Sequence, residues 1–278
     1  MSSRLACVTA TFNEESRIEN WVIHAKMWAD LVLVFDKQST DNTRAIASTA
    51  GALVIEIPYS KAGHEDVESI WRDQIPTEWA VWSTPSEVIK PKLAKLFKTI
   101  VRSNPTEYDI VYAPTKIYAF GAHSPMTPFG VINHPRLINR TSATVQNKIH
   151  NNFIPRRGAR LINYDDETYV LHQTHANFEK YIEKHLEYAL QEVQSSDNPL
   201  ELARQSLQTA HRYDYEFSAN QGDIRHQLAW KIYHYLIALG CHNKSLGLDT
   251  LQLYTTQSQA ILLEWKSDNG TGNESKPR

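Results

Sequence analysis

"LVLVFDKQSTDNTRAIA", Leu31 to Ala47, is the stretch that decides the fold. An apolar run leads to Asp36 and a short polar turn follows. Ile46, Ala47 and Ala50 then recur on one side of a predicted helix that begins near Asp41 and stops at Gly51. Upstream, "LACVTAT" (Leu5 to Thr11) is an apolar, β-branched run that reads as a strand. "NEESRIENWVIHAKMWAD" then repeats Ile18, Trp21, Val22, Ala25 and Trp28 at helical spacing, with Asn13 a candidate N-cap. Downstream, "ALVIEI" (Ala52 to Ile57) is a third strand. Strand, helix, strand, helix, strand in about fifty residues predicts a doubly wound, mainly parallel α/β unit.

Ligands of such sheets bind beyond the carboxyl ends of the strands, where the chain order reverses. Thr11, Asn13 and Glu14 follow the first strand; Asp36, Ser39 and Thr40 follow the second. A carboxylate at Asp36 can accept hydrogen bonds from a base N–H or a ribose hydroxyl. The competing reading is local, with Asn13 and Asp41 as helix caps and Asp36 as a turn residue. Spacing alone leaves both open.

Bulk properties narrow the class. With 278 residues, 41% hydrophobic and 10% aromatic, the chain suits a packed α/β domain with an extension. A formal net charge of −2 offers no electrostatic footprint for nucleic acid. Cys7 and Cys241 have no metal-ligand spacing and are expected to be reduced thiols. No run approaches the roughly 18 apolar residues of a membrane span. The first residues lack the charged start and apolar stretch of a signal peptide, so the expected location is cytoplasmic.

Further strands are predicted at Trp79 to Trp82 and Ile110 to Ala113, with "KPKLAKLFKTIV" between them as a helix. From Pro114 to Tyr169 the pattern loosens into turns and short strands rich in Pro, Asn, Arg and His, as loops that carry binding groups do. Phe178, Ile182, Leu186 and Ala189 mark one amphipathic helix, and Leu228, Ile232, Tyr235 and Leu239 another. The expected division is an α/β domain over 1–175, a helical C-terminal extension over 176–266 and a polar, disordered tail over 267–278. The apolar stripes of the helices are expected to pack on the α/β domain or between copies as a homo-oligomer.

The segments "VTATFNEESRIENWV" and "WADLVLVFDKQSTDNTRAIASTAGALVI" resemble the start of family 2 glycosyltransferases, which have the GT-A nucleotide-sugar-binding fold. There a strand ends in Thr-x-Asn-Glu, and a second ends in Asp-Asp-Gly-Ser-Thr-Asp-x-Thr. "WRDQIPTEWAVWSTPSEVIKPKL" aligns with the family's Arg-Asn…Trp-Val-Leu-Phe-Leu-Asp-Ala-Asp-Glu segment. "HPRLINR", "IHNNF" and "VLHQTHANFEKYIEKHLEYAL" resemble segments of its lipopolysaccharide-core-like branch. The resemblance covers roughly residues 5 to 192 and is most specific over its first fifty positions. It implies that Thr11, Asn13, Glu14 and Asp36 hold the nucleoside half of a sugar nucleotide, and that Arg72 lies near its diphosphate.

The departures define the chemistry. Lys37 and Gln38 replace the family's second Asp and its Gly. The family's Asp-x-Asp holds a divalent cation on the leaving diphosphate; here its positions read Thr84, Pro85 and Ser86, and only Glu87 of the acidic set remains. Hydroxyls replace the hard carboxylate ligands such a cation prefers, so no metal is expected there. Two unit charges 4 Å apart interact by roughly 4 kcal/mol at an effective dielectric near 20, so cationic side chains could do much of a metal's work. Candidates are Lys37, Lys61, Arg72, Arg136 and Arg140, with Arg156, Arg157 and Arg160 as a clamp. A metal site rebuilt from His64, Glu65, Asp66 and Glu68 is the alternative.

Catalysis of transfer needs a base near the acceptor hydroxyl. His150 and Glu87 are the candidates, followed by His172; the family's Glu after the first His is Asn151 here. Thr84 and Arg136 join the donor-binding set. The leading expectation is a sugar transferase using a nucleotide-activated donor as substrate, with no separate cofactor and no Asp-x-Asp metal. The acceptor is a saccharide, a peptide or a small metabolite. The alternatives are a GT-A-like fold repurposed for another biosynthetic reaction and a non-catalytic binding protein.

Overall fold

The computed structural model describes residues 4–59, 74–123, 130–145, 153–174, 178–220 and 224–245. The chain divides into two compact units, Met1–Ile117 with Val131–Gln173, and Tyr118–Gly130 with Thr174–Arg278.

The first unit is α/β. Strand β1 (Leu5–Thr11) is buried at every position but Ala10, as a strand covered on both faces must be. It pairs in parallel with β2 (Leu31–Asp36) on one side and β4 (Trp79–Trp82) on the other. Strand β3 (Leu53–Glu56) extends the parallel set beyond β2. Helix α1 (Ile18–Lys26) buries Ile18, Trp21, Val22 and Ala25, the face expected from its spacing. Helix α2 (Thr43–Ala50) ends at Gly51, whose φ of 96° is the left-handed conformation a C-terminal glycine supplies. Lys26 Nζ donates to Ala50 O at 3.0 Å, so α1 also caps the end of α2.

Beyond β4 the sheet turns antiparallel. Strand β8 (Val131–Asn139) pairs with β4, and β6 (Ile110–Ala119) pairs with β8, with a register shift between Val111 and Tyr112. Strand β12 (Val170–Gln173) lies next to β6, and β5 (Glu87–Ile89) closes the row antiparallel to β12. The order is β3-β2-β1-β4-β8-β6-β12-β5, a mixed sheet with its parallel block at one side. Two short strands, β7 (Ala122–His123) and β11 (Ala159–Leu161), add to β6, while β9 (Thr144–Val145) and β10 (Phe153–Ile154) form a separate pair.

Alternation splits the core between the two faces. Leu5, Cys7, Val32, Val34, Trp79 and Val81 pack with α1 and with α3 (Pro91–Ser103) on one side. Ala6, Val8, Leu33, Phe35, Ala80 and Trp82 pack with Ile57, Ile75 and Phe153 on the other. Helix α3 opens on Pro91 after an extended Lys90 and closes on Asn104, at φ 45°.

Among the described residues the second unit contains three helices: α4 (Phe178–Ser195), α5 (Pro199–Asn220) and α6 (Ile224–Ser245). Two were expected; α5 was not. Ala189 and Val193 of α4 meet Tyr233, Leu236, Ile237 and Cys241 of α6 in its core. Lys244 Nζ donates to the carbonyls of Val193, Gln194 and Ser196 at 2.9–3.0 Å, satisfying the open end of α4. Within the same unit, Thr174 N donates to Tyr118 O at 2.9 Å, and Tyr181 Oη donates to Ala229 O at the same distance. Both cysteines are free and buried. Among the described residues no helix is long and apolar enough to cross a membrane.

Candidate functional site

The carboxyl ends of β1, β2 and β4 bring the predicted groups to one edge, because Thr11 is in register with Asp36 and Val8 with Trp82. The first two loops are stitched together. Asn13, at φ 55°, donates its N–H to Ser39 Oγ at 2.9 Å and accepts Thr40 N at 2.8 Å through Oδ1. Glu14 N donates to Thr43 Oγ1 at 2.7 Å, Glu15 N to Asp41 Oδ2 at 3.2 Å, and Asn42 N back to Glu15 Oε2 at 3.0 Å. Asn13 is therefore a cross-loop bolt and not the cap of α1, which begins five residues later. Asp41 does act locally, accepting the N–H of Thr43 at the start of α2. Hydrogen bonds from Thr43 and Glu15 outweigh the effect of desolvation and lower the Asp41 pKa.

Asp36 faces inward. Its carboxylate is fully buried and accepts from Ser39 N at 2.8 Å, Ser39 Oγ at 2.6 Å and Thr11 Oγ1 at 3.1 Å. Arg44 Nε stands 3.7 Å away. Most of the acceptor capacity that could meet a base is thus spent inside the loop. Glu14 is ion-paired with Arg17 at 2.7 Å.

The rewritten motif follows β4. Ser83 N donates to Val8 O at 3.0 Å and Ser83 Oγ accepts from Trp21 Nε1 at 3.3 Å, which anchors the turn to β1 and α1. Thr84 and Ser86 hydroxyls share a hydrogen bond of 2.9 Å. Thr84 N donates to Glu87 Oε2 at 2.9 Å. Glu87 itself is buried and held in a fork by Arg136, Nη1 to Oε2 at 2.8 Å and Nη2 to Oε1 at 2.6 Å. Arg136 also donates to Thr115 Oγ1 at 2.9 Å. His172 Nδ1 lies 3.6 Å from Glu87 Oε1. Burial pushes the Glu87 carboxyl up, but the Arg136 and His172 charges and the hydrogen bonds from Arg136 and Thr84 prevail and hold it at about 2.

This donor set does not fit a divalent cation. Two hydroxyls bonded to each other and one carboxylate already neutralised by a buried guanidinium offer little charge to a metal, and Arg136 would repel it. The same pairing makes Glu87, expected as a candidate base, a poor proton acceptor near neutral pH.

The cationic candidates separate to two edges. Arg136 and the buried Lys37 lie at the carboxyl edge with the loops above. Arg140, Arg156, Arg157 and Arg160 lie at the opposite, amino edge, where Trp79 pairs with Asn139 and β6 begins. There Arg140 Nε donates to Thr77 O at 2.6 Å, the N–H groups of Arg156 and Arg157 donate to the buried Asp109 at 3.0 and 3.1 Å, and Arg160 reaches Tyr108 Oη at 3.0 Å. The expected arginine clamp is therefore on the wrong side of the sheet to close over a donor. His150, Arg72, Lys61 and the candidate metal ligands His64, Glu65, Asp66 and Glu68 lie outside the described residues. Thr115 was not singled out in the sequence, because Pro114 hid the strand that carries it.

No family model matches the chain. An uncharacterised glycosyltransferase of Rickettsia typhi is 26% identical over 148 residues, which are 53% of this chain and 50% of that protein. An uncharacterised glycosyltransferase of Rickettsia prowazekii matches to the same extent. The chain is glycosyltransferase-like. It spans about half the length of the curated relatives it matches. Among solved structures, glucosyl-3-phosphoglycerate synthase from Mycobacterium tuberculosis, in complex with Mn²⁺, uridine diphosphate and phosphoglyceric acid, is 14% identical. The match covers 51% of this chain and 59% of that one with a TM-score of 0.40, a likeness too slight to carry an argument about the site.

Proposed function

We propose that this glycosyltransferase-like chain transfers a sugar from a nucleotide-activated donor, bound at the carboxyl edge of β1, β2 and β4, to a hydroxyl of a saccharide, peptide or small metabolite. In this reading Thr11, Asn13, Glu14 and Asp36 build the floor under the nucleoside, and Arg72 is proposed near the diphosphate. The Thr84–Pro85–Ser86 turn takes the place of a metal site. The observation that carries the reading is the buried Arg136–Glu87 fork beneath that turn, which already pairs the one carboxylate left where the resemblance places the ligands of a metal.

Calorimetry on the full chain tests this with UDP, GDP, dTDP and their sugar conjugates, in EDTA and in Mn²⁺. Binding is expected to be the same in both within about threefold. A gain above about tenfold with Mn²⁺, roughly 1.4 kcal/mol, would reveal a metal site and end the metal-free reading. Silence across all nucleotides would end the donor reading. One observation favours a second reading, reassignment of the edge to a ligand that is not a sugar nucleotide. The Asp36 oxygens are engaged by Ser39 and Thr11, which leaves less capacity for a nucleobase. Binding of a non-nucleotide phosphate ester in the same experiment would support it.

A further inference from the structure

We propose that His172, aimed by Glu87, takes the proton from the acceptor hydroxyl, with Glu87 a positioning residue and not the base. The proposal rests on the sugar-transfer reading above and names the proton acceptor at that same edge.

Three observations carry it. First, the antiparallel register of β5 and β12 sets His172 directly opposite Glu87, the placement that brings side chains together on one face of a sheet. Second, the burial of the three side chains differs. The Glu87 side chain is 3% exposed, Arg136 behind it is 6% exposed, and the His172 imidazole is 26% exposed. Glu87 and Arg136 are thus both buried, and the imidazole is the most exposed of the three. Third, the block is fastened to the rewritten turn on both sides. Thr84 N donates to Glu87, and Gln173 N donates to Ser86 O at 2.9 Å.

The division of labour follows. A carboxylate clamped by a guanidinium is a poor base, but it can fix the tautomer and orientation of an imidazole. With Nδ1 turned to Glu87 at 3.6 Å, Nε2 lies on the far side of the ring. That distance exceeds a hydrogen bond, and it is one that tightens as the ring gains charge. In the step itself the acceptor O–H gives its proton to Nε2, and the electron pair of that bond forms the new bond to the anomeric carbon. The bond from the anomeric carbon to the diphosphate oxygen breaks, and its pair departs with the nucleoside diphosphate. The imidazolium then returns its proton to solvent. Among the described residues, Glu87 on β5 is the charged group set against the ring, with Arg136 on β8 paired to it.

Two measurements on the full chain test the assignment. Nitrogen-15 NMR of the histidines, with His172→Gln for assignment, reads the ring directly. The neutral ring is expected to carry its proton on Nδ1, and Glu87→Gln is expected to lower its titration midpoint by roughly half a pH unit or more. Should that variant fail to fold, Glu87→Leu with Arg136→Met replaces the buried pair with hydrocarbon, and there the ring should revert to the Nε2–H form. An Nε2–H ring in the wild type, or a ring that neither variant moves, overturns the positioning by Glu87. The second measurement uses UDP-glucose, UDP-N-acetylglucosamine, GDP-mannose and dTDP-glucose as probes, with glycerol and water as acceptors. For a probe the wild type binds, His172→Gln should keep Kd within about threefold and lose about 100-fold or more in release of nucleoside diphosphate. Unchanged Kd with unchanged release overturns the role of His172 while sugar transfer stands. No binding of any probe by the wild type, or binding without release, overturns the transfer reading and this assignment together.

Discussion

Asp36 shows how far a residue can be read from its neighbours in sequence. A carboxylate followed by Lys-Gln-Ser-Thr-Asp looks solvated, and the strand before it announces where it will stand but not which way it will face. The fold turns it inward, onto Ser39 and Thr11. Asp36→Asn replaces an oxygen that accepts with an amide that donates, toward partners that are themselves donors. It is expected to destabilise the protein by roughly 1–3 kcal/mol, measured by urea denaturation. An unchanged midpoint would show that the turn holds without the carboxylate. Glu87 and Arg136 were both singled out in the sequence, because the rewritten motif marked one and "HPRLINR" the other. Their mutual pairing was not legible, since it joins strands that are neighbours only in the folded sheet. Arg136→Met should cost roughly 3–5 kcal/mol, the price of leaving a buried carboxylate unpaired. It should also change acid tolerance. With its folded pKa held at about 2, below the ordinary value of 4.5, Glu87 contributes stability that is present above the unfolded pKa and is lost as the pH falls from 4.5 through 2. Without Arg136 the folded pKa rises, so acid unfolding followed by circular dichroism should begin at higher pH in the variant.

At the scale of elements, the first fifty residues were the easiest to read and the middle of the chain the hardest. Strands β1, β2 and β3 are short, apolar and bounded by polar turns, so period and punctuation agree. Strand β6 was expected to end at Ala113 because Pro114 forbids a ladder donor, yet it runs on to Ala119 with Pro114 opposite Asn133. Strand β8 contains Pro135 and lies in the stretch read only as turns and short strands. In both, the neighbouring strands supply the order that local propensity denies. Helix α5 was missed although Asn198 and Pro199 announce it; Asn198 Oδ1 accepts the N–H of Glu201 at 3.3 Å, as an N-cap does. Helix α6 carries His234, whose two ring nitrogens have no hydrogen-bond partner among the described residues. Burial pushes its pKa down to about 4 from 6.5. Between those values the unfolded chain binds more protons than the folded one, so stability is lost as the pH falls from 6.5 to 4. His234→Leu should flatten that slope of stability against pH, as thermal melts at several pH values will read. A slope unchanged in the variant would assign it elsewhere, His24 being the next imidazole whose pKa burial lowers.

At the scale of the whole molecule, the units are not consecutive in sequence. Residues 118–130 cluster with residues 174–278, and the composition of that stretch does not announce it. Ala119 O is met by His226 Nε2 at 3.0 Å, and Phe120 packs against the Tyr181 and His226 rings at 5.6 and 5.7 Å. Truncation after residue 175 would therefore cut one unit in two instead of trimming an extension. The shortened chain is expected to lose soluble yield and to bind a hydrophobic dye, because Phe120 loses its cover; a well-folded product by NMR would show that the first unit is self-sufficient. The paired loops after β1 and β2 have the opposite character. Each of their exposed turns is tied to the other by main-chain donors and side-chain acceptors, so neither can loosen alone. A ligand settling on them has no segment to freeze, and its binding carries little ordering entropy. Affinity lost on altering those loops then measures order removed from the free protein as much as contacts removed from the bound one.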